Sequence, residues 1–341
     1  MKRSLTTQVP DDQRWLRVED PSAAAGCRAA AAALTRRLEF PAARADEVAL
    51  AVTEAASNLH KHARQGSMLL RITRVGGHPG IELVTIDTGP GLGDTRAALR
   101  DGHSTSGTLG IGLGAIQRLA DFCDLYSAPG RGTVLVARFW PEPRPDADPY
   151  AGLVRPISGE TECGDVFAAV QADGTLTGVL CDGLGHGPLA AIAANEAVHA
   201  VLDGPAAGAG HADDPAAAVE RAHSRMGHTR GGALAVVQVT GRLVRFCGLG
   251  NIAAVILADG TRKSMLSVPG IAGHQARAIR QFEYDAPPGA AIILHSDGLS
   301  NRWDPEALPG LSARDPLVIA AALLAEAGTR RDDAGVLVLK P

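Results

Sequence analysis

Ten residues near the middle of the chain, Pro141–Tyr150 (PEPRPDADPY), constrain its folding more than any other stretch. Four prolines alternate there with charged and small residues. Each ring fixes φ and removes a backbone donor, so the segment can continue neither a helix nor a sheet ladder. It reads as a stiff, extended tether. The chain before it closes on a β-like run, Thr133–Trp140, and the chain after it opens a new series of short strands. A length of 341 residues also favours two domains of roughly 150 residues each. The division expected is therefore 1–140, a linker at 141–150, and 151–341.

Composition narrows the function classes. Hydrophobic residues make up 45% and charged residues 21%, enough apolar material for two ordinary cores. The net charge of -4 comes from 37 acidic and 33 basic residues and gives no electrostatic footprint for nucleic acid or anionic lipid. The five cysteines are dispersed with no C-x-x-C pair, which suits a reducing compartment. The first residues, MKRSLTTQVPDDQRW, carry charge but no apolar core of a signal peptide, and Pro316–Ala325 is too short to span a bilayer. A cytoplasmic protein with no membrane or nucleic-acid partner is expected.

In the first half, helices are expected over Ser22–Leu38, with a stop at Pro41, over Asp46–Ala63, and from about Gly110 to Phe122. Strands are expected at Met68–Val75, Ile81–Asp87 and Thr133–Trp140. This pattern suggests helices layered on an antiparallel or mixed sheet. In the second half, strand-like runs at 165–171, 177–182, 233–240, 243–249, 253–257, 290–296 and 335–339 alternate with helices at 187–202, 214–226 and 316–327. Many strands and few helices suggest packed sheets with helices outside, an α+β protein overall. Asp173-Gly174 and Asp259-Gly260 read as hairpin turns.

Three motifs in the first half carry chemistry. Glu54 and Asn58 are four apart on a helix and so share a face. An amide oxygen is an apt Mg²⁺ ligand beside phosphate and water, and a nearby carboxylate can order or deprotonate a hydroxyl. Asp87-Thr-Gly89-Pro-Gly91 follows an apolar strand and holds a carboxylate at the strand end. Gly107-Thr-Leu-Gly110-Ile-Gly112-Leu-Gly114 then opens a helix, where backbone N–H groups can approach phosphate.

In this order the motifs resemble the N, G1 and G2 boxes of the GHKL (histidine-kinase-like) ATPase superfamily, and within it the anti-sigma-factor serine kinases of the RsbT and RsbW type. Asp101–Asp121 and Gly130–Thr133 carry the likeness furthest. The resemblance implies a Bergerat-type α/β sandwich that binds ATP and Mg²⁺. Asn58 would hold the metal, Glu54 would act on the attacking hydroxyl, and Asp87 would bind the adenine amino group. Gly89, Gly91, Gly110, Gly112 and Gly114 would shape the lid and phosphate loop.

The second half contains four short acidic motifs: Gly164-Asp165, Asp182-Gly183-Leu-Gly-His-Gly187, Ser296-Asp297-Gly298 and Asp332-Asp333. Asp182 and Asp297 end apolar runs and precede glycine. Convergent carboxylates without sulfur suit Mg²⁺ or Mn²⁺, and two such ions can acidify a water and hold a phosphoryl group. The set resembles the PPM (PP2C-like) phosphatases of the SpoIIE/RsbX branch, with Gly159–Asp165 and Gly248–Asn251 the most RsbX-like stretches. That likeness implies an αββα sandwich with two ions. Asp182, the Gly183 carbonyl, Asp297 and Asp332 would ligate them, and Asp165 would position the attacking water at the metals. Two positions depart from the family. Ala334-Gly335 stand where a threonine usually follows the Asp-Asp pair, and the phosphate-binding arginine has only Arg155 as a counterpart. His186 is expected to pack locally at its turn.

Together the resemblances imply a bifunctional regulator of partner switching, phosphorylating and dephosphorylating Ser or Thr on a STAS-domain anti-sigma antagonist or stressosome-like protein. A sigma factor and a second copy of the chain are further partners they admit. The alternative is a phosphatase whose first domain binds ATP and sequesters a partner without transferring phosphate.

Overall fold

The computed structural model describes residues 11–95, 98, 112–142, 148–204 and 214–341. Gly110, assigned above to the phosphate loop, lies outside them. The chain divides into two units, Asp11–Asp148 and Pro149–Pro341.

The first unit has a five-stranded antiparallel sheet in the order β1-β2-β3-β5-β4. Its strands are β1 (Asp11–Arg17), β2 (Ser67–Val75), β3 (His78–Ile86), β4 (Phe122–Ser127) and β5 (Thr133–Phe139). Helices α1 (Ala23–Arg37), α2 (Ala42–His62) and α3 (Gly112–Leu119) accompany it. Val48, Val52, Ala55 and Leu59 recur at helical spacing on α2 and pack with Met68, Leu70, Leu83, Leu135 and Phe139 of the sheet. The expected layer of helices on a sheet is present.

Three local expectations need correction. Pro41 is the residue that caps the start of α2, which begins four residues before Asp46 because Ala42-Ala-Arg-Ala are strong helix formers. The helix expected to reach Phe122 ends at Leu119. Asp121 stops it by accepting hydrogen bonds from the Arg44 guanidinium (2.5 Å) and the Trp140 backbone N–H (2.8 Å), and Phe122 then begins β4. Third, Tyr150 belongs to a strand and not to the tether. It is 1% exposed, and burying such a ring is worth a few kcal/mol.

The second unit is a sandwich. One sheet runs β15-β10-β9-β8-β7 and the other β12-β11-β16-β17-β6. The first comprises β7 (Asp165–Ala172), β8 (Thr175–Gly183), β9 (Gly232–Thr240), β10 (Leu243–Leu249) and β15 (Gln281–Asp285). The second comprises β6 (Tyr150–Arg155), β11 (Ala253–Ala258), β12 (Thr261–Met265), β16 (Ala291–His295) and β17 (Ala334–Leu339). A two-stranded hairpin, β13 (Gly270–Ile271) and β14 (Gln275–Ala276), completes the strands. Alternation decides which side chain faces which layer. On β17, Leu337 and Leu339 enter the core between the sheets, with Phe167, Leu180, Val237, Phe246, Ile292 and Leu294. Val166, Ala168, Val179 and Cys181 face the other way, against α4 (Pro188–Leu202) and α5 (Pro215–Arg225). Helix α6 (Pro316–Ala327) packs on β6 and β17 of the second sheet. The order of layers is helix, sheet, sheet, helix, as expected. All three helices start with proline, and Asp214 and Asp315 cap α5 and α6 by accepting from Ala217 N and Leu317 N. Asp173-Gly174 and Asp259-Gly260 have positive φ at both residues and close β7-β8 and β11-β12 as tight turns.

One buried ionic group spans the first sheet. Glu82 on β3 lies between Arg71 on β2 and Arg138 on β5, with N–O distances of 2.5 and 2.8 Å. Burial works against the Glu82 carboxylate, but the two guanidiniums outweigh it and hold its pKa below the ordinary value. Glu82→Ala, which strands two buried cations, should cost about 3–5 kcal/mol in urea unfolding. The contribution is complete above the ordinary glutamate range and is lost as pH falls through the depressed folded value, so the gap between wild type and variant should narrow in acid.

Candidate functional site

In the first unit the three motifs meet. Helix α2 carries Glu54 and Asn58, and Gly112 at the start of α3 lies directly against both. A Cβ on Gly112 would stand 3.1 Å from Glu54 Oε2 and 3.2 Å from Asn58 Oδ1. Among the described residues the buried Asn58 side-chain nitrogen has no hydrogen-bond partner, an arrangement that costs free energy unless a ligand satisfies it. Gly114 is buried in the same first turns of α3.

Asp87 follows directly after β3. Its backbone N–H donates to Thr133 O (3.1 Å), and its Oδ1 accepts from Gly89 N (2.6 Å). Burial raises its pKa, and the Gly89 N–H partly opposes that rise. Gly132, at φ +83°, explains the Gly130-Arg-Gly-Thr133 sequence, because a Cβ there would sit 1.9 Å from the Asp87 carbonyl oxygen. Gly91, at φ +73°, similarly faces Ala128 O. Sequence reading missed Ser127. Its hydroxyl donates to Gly132 O (2.7 Å) and accepts from Leu92 N (2.8 Å), tying the loop after Asp87 to the β4–β5 turn.

In the second unit, β7 and β8 pair Asp165 directly with Asp182. Asp297 lies two residues beyond β16 and Asp332 two residues before β17, adjacent strands of the second sheet. The carboxylates repel one another. Burial and then the Asp182 charge raise Asp165 well above the usual range. Burial, then Asp297 and Asp332, push Asp182 up to about 7, and burial followed by Asp332 raises Asp297.

Several neighbours hold the cluster open. Ser296 donates to Asp165 Oδ2 (2.5 Å) and accepts from Gly335 N (2.9 Å), while Asn251 donates to Asp297 Oδ2 (2.7 Å). Asp333 is an anchor, since its two oxygens accept from Ile157 N and Gly164 N, both at 2.7 Å. Gly335, where the family pattern departs, has a reason of its own: a Cβ would stand 3.0 Å from Asp165 Oδ2. Arg155 donates to Thr329 O (2.9 Å), and His186 sits exposed at its turn with Glu160 (3.2 Å). The sequence quoted Ser296, Asn251 and Asp333 within motifs but gave none of them this work.

Among the described residues, no three His, Cys, Asp or Glu side chains converge closely enough to hold an ion by themselves. Two observations nonetheless fit a divalent cation. Asp165 Oδ1 is buried with no hydrogen-bond partner. The mutual repulsion of Asp165, Asp182, Asp297 and Asp332 also calls for positive charge in their midst. Mg²⁺ and Mn²⁺ keep much of their water and need few protein oxygens each, so a closed cage is not required.

Each unit also matches a known protein family. Residues 18–139 match the histidine kinase-like ATPase domain and residues 172–341 match Stage II sporulation protein E (SpoIIE). The serine/threonine-protein kinase RsbT of Bacillus subtilis (strain 168) is 34% identical over 107 residues, which are 31% of this chain and 80% of RsbT. Among solved structures, RsbX in complex with magnesium is 20% identical with a TM-score of 0.46, over 55% of this chain and 92% of that one. A protein of the bacterial stressosome, "a modular system that has been adapted to control secondary messenger signaling", is 26% identical with a TM-score of 0.49, over 56% and 98%. The chain belongs to the RsbT-like histidine-kinase-like ATPases through its first unit and to the SpoIIE-type PPM serine/threonine phosphatases through its second. It thus joins a kinase-like and a phosphatase domain of the kinds used in partner-switching systems.

The tight fit at Gly112 gives a direct test of the first site. Gly112→Ala should weaken ATP binding roughly tenfold by calorimetry, as the displaced Glu54 and Asn58 side chains lose contacts to the ligand, with the circular-dichroism spectrum unchanged. Unchanged affinity would place the nucleotide elsewhere.

Proposed function

We propose that this chain is a bifunctional, cytoplasmic regulator whose second unit removes phosphate from Ser or Thr of a STAS-domain anti-sigma antagonist, and whose first unit puts it on. The observation that carries the phosphatase half is the mutually repelling carboxylate cluster with one orphaned buried oxygen at Asp165.

Asp182, the Gly183 carbonyl, Asp297 and Asp332 would hold Mn²⁺ or Mg²⁺. When bound, such ions neutralise phosphoryl charge and lower the pKa of water. The chain's own residues supply orientation. Asp165, fixed through Oδ2 by Ser296, aims its free Oδ1 and positions the attacking water. Asn251 fixes the rotamer of Asp297, and Asp333 locks the Gly164 backbone beside Asp165. Asp182→Asn and Asp297→Asn should each lower Mn²⁺-dependent phosphate release from a phospho-STAS protein at least a hundredfold, on the order of losing a metal ligand. Wild-type turnover in both variants would end the metal mechanism.

For the first unit, Asn58 would hold Mg²⁺, Asp87 would receive the adenine amino group, and Glu54 would accept the proton of the attacking hydroxyl. Gly89, Gly91, Gly112 and Gly114, with Gly110, would leave space for phosphate and lid. This reading is supported by the meeting of Glu54 and Asn58 at Gly112 and by the family assignment. Phosphate transfer from labelled ATP to a STAS protein should occur with wild type and be lost in Glu54→Gln while ATP still binds. Binding without transfer by wild type would favour the second reading, a first unit that only sequesters a partner, either an antagonist or a sigma factor. Self-association of the chain is compatible with both readings.

A further inference from the structure

We propose that Leu184, Leu189 and Ile192 form an apolar strip that binds the residues flanking the substrate's phosphoserine, so that the second unit selects phosphoserines with apolar neighbours. The proposal rests on the phosphatase reading above. Large apolar side chains are exposed at only five places among the described residues, and three of these fall within nine positions. They are Leu184 (53% exposed), Leu189 (54%) and Ile192 (57%). A single exposed leucine is ordinary, whereas a cluster beside a polar site marks a binding surface.

Backbone geometry sets the strip beside the carboxylates. Leu184 is two residues beyond Asp182, and its N–H donates to Gly231 O (2.9 Å), which fixes the backbone that displays it. The first turn of α4 lies directly on the glycines next to Asp165 and Asp182. A Cβ on Gly183 would stand 2.1 Å from Ala190 O, and one on Gly164 would stand 2.9 Å from the Ala190 Cβ. Ala190 and Ala191 are buried, while Leu189 and Ile192, three apart, share the outward face. Helix formation does not call for these two residues, since alanine is the better helix former and fills much of α4. Polar pairs bound the strip, His186 with Glu160 (3.2 Å) at the acidic turn and Glu196 with Arg225 (2.9 Å) one turn beyond Ile192.

The place decides the occupant. An extended chain advances about 3.3–3.6 Å per residue, so the two or three residues on either side of a phosphoserine at the carboxylates reach about 7–10 Å. Leu184 falls within that reach of Asp182, and Leu189 adjoins the alanine that touches both glycines. Apolar side chains of the substrate lose water against the strip. They gain as much before reaction as in the transition state, so the contact lowers KM and leaves kcat alone. A second copy of the chain seated there would lie over the acidic turn and bar the substrate.

The test uses the full chain with Mn²⁺, p-nitrophenyl phosphate and two phosphoserine peptides of equal length and charge. One peptide has leucines on both sides of the phosphoserine, and the other has serines in their place. Wild type should show a KM roughly tenfold lower for the leucine peptide, the effect of burying one or two apolar side chains. The double variant Leu189→Gln/Ile192→Gln, whose glutamines keep helix propensity, should lose that preference. Its kcat and its turnover of p-nitrophenyl phosphate should stay within about twofold of wild type. Equal KM for the two peptides in wild type, or an undiminished preference in the variant, would overturn the assignment. So would a wild-type dimer in light scattering that the variant converts to monomer, because the strip would then be a contact between copies. Absence of Mn²⁺-dependent hydrolysis of all three substrates by wild type would instead sink the phosphatase reading, and this role with it.

Discussion

Like charge held in one place is the constraint on which the second unit depends. Two sheets bring Asp165, Asp182, Asp297 and Asp332 to neighbouring strand ends, where Asp182, Asp297 and Asp332 each raise the pKa of a neighbouring carboxylate. A fold gains nothing in stability from such a cluster, and its repulsion must be offset by donors, protons or cations. Donors account for part of it. Backbone N–H groups at Ile157 and Gly164 satisfy Asp333, Ser296 takes one oxygen of Asp165, and Asn251 takes one of Asp297. The buried Oδ1 of Asp165 is left over. Divalent ions with their waters would resolve both the repulsion and the orphaned oxygen.

The first unit meets its polar burden differently. There the scaffold charge, Arg71-Glu82-Arg138, is fully paired within the sheet and has no room for chemistry. The candidate ligand site is built from absence: Gly112 against Glu54 and Asn58, Gly132 under the Asp87 carbonyl, and Gly89 folded back onto the Asp87 carboxylate. The buried Asn58 nitrogen is left without a hydrogen-bond partner among the described residues. On the function proposed above, the proline-rich run between the two units would keep two opposing activities at high effective concentration around one target.

Much of this was legible in the sequence, and most of the missed strands share a cause. The helical spacing on α2, the interior strands and the Asp-Gly turns could all be read, because a buried strand must be apolar on both faces and a positive-φ pair selects its residues. The strands that escaped, β1, β4, β6, β12 and β15 with the two-residue β13 and β14, all lie at sheet edges. Edges carry polar residues, as in Asp11–Arg17 (DDQRWLR), Thr261–Met265 (TRKSM) and Gln281–Asp285 (QFEYD), so alternation is hidden. β6 was lost for a different reason, its first residue being the last of the proline-rich run. At the sites, motifs located the carboxylates but not their supports. Ser296 reaches Asp165 across 131 positions of sequence and Asn251 reaches Asp297 across 46, and no local pattern encodes either.

Calorimetric titration of Mn²⁺ into the full chain tests the central claim most directly. The account predicts binding of two ions per chain, as two-metal hydrolysis requires, with Asp182→Asn losing both because its carboxylate lies between Asp165 and Asp297. A wild-type chain that takes up no Mn²⁺, or an Asp182→Asn chain that binds it unchanged, would contradict the account.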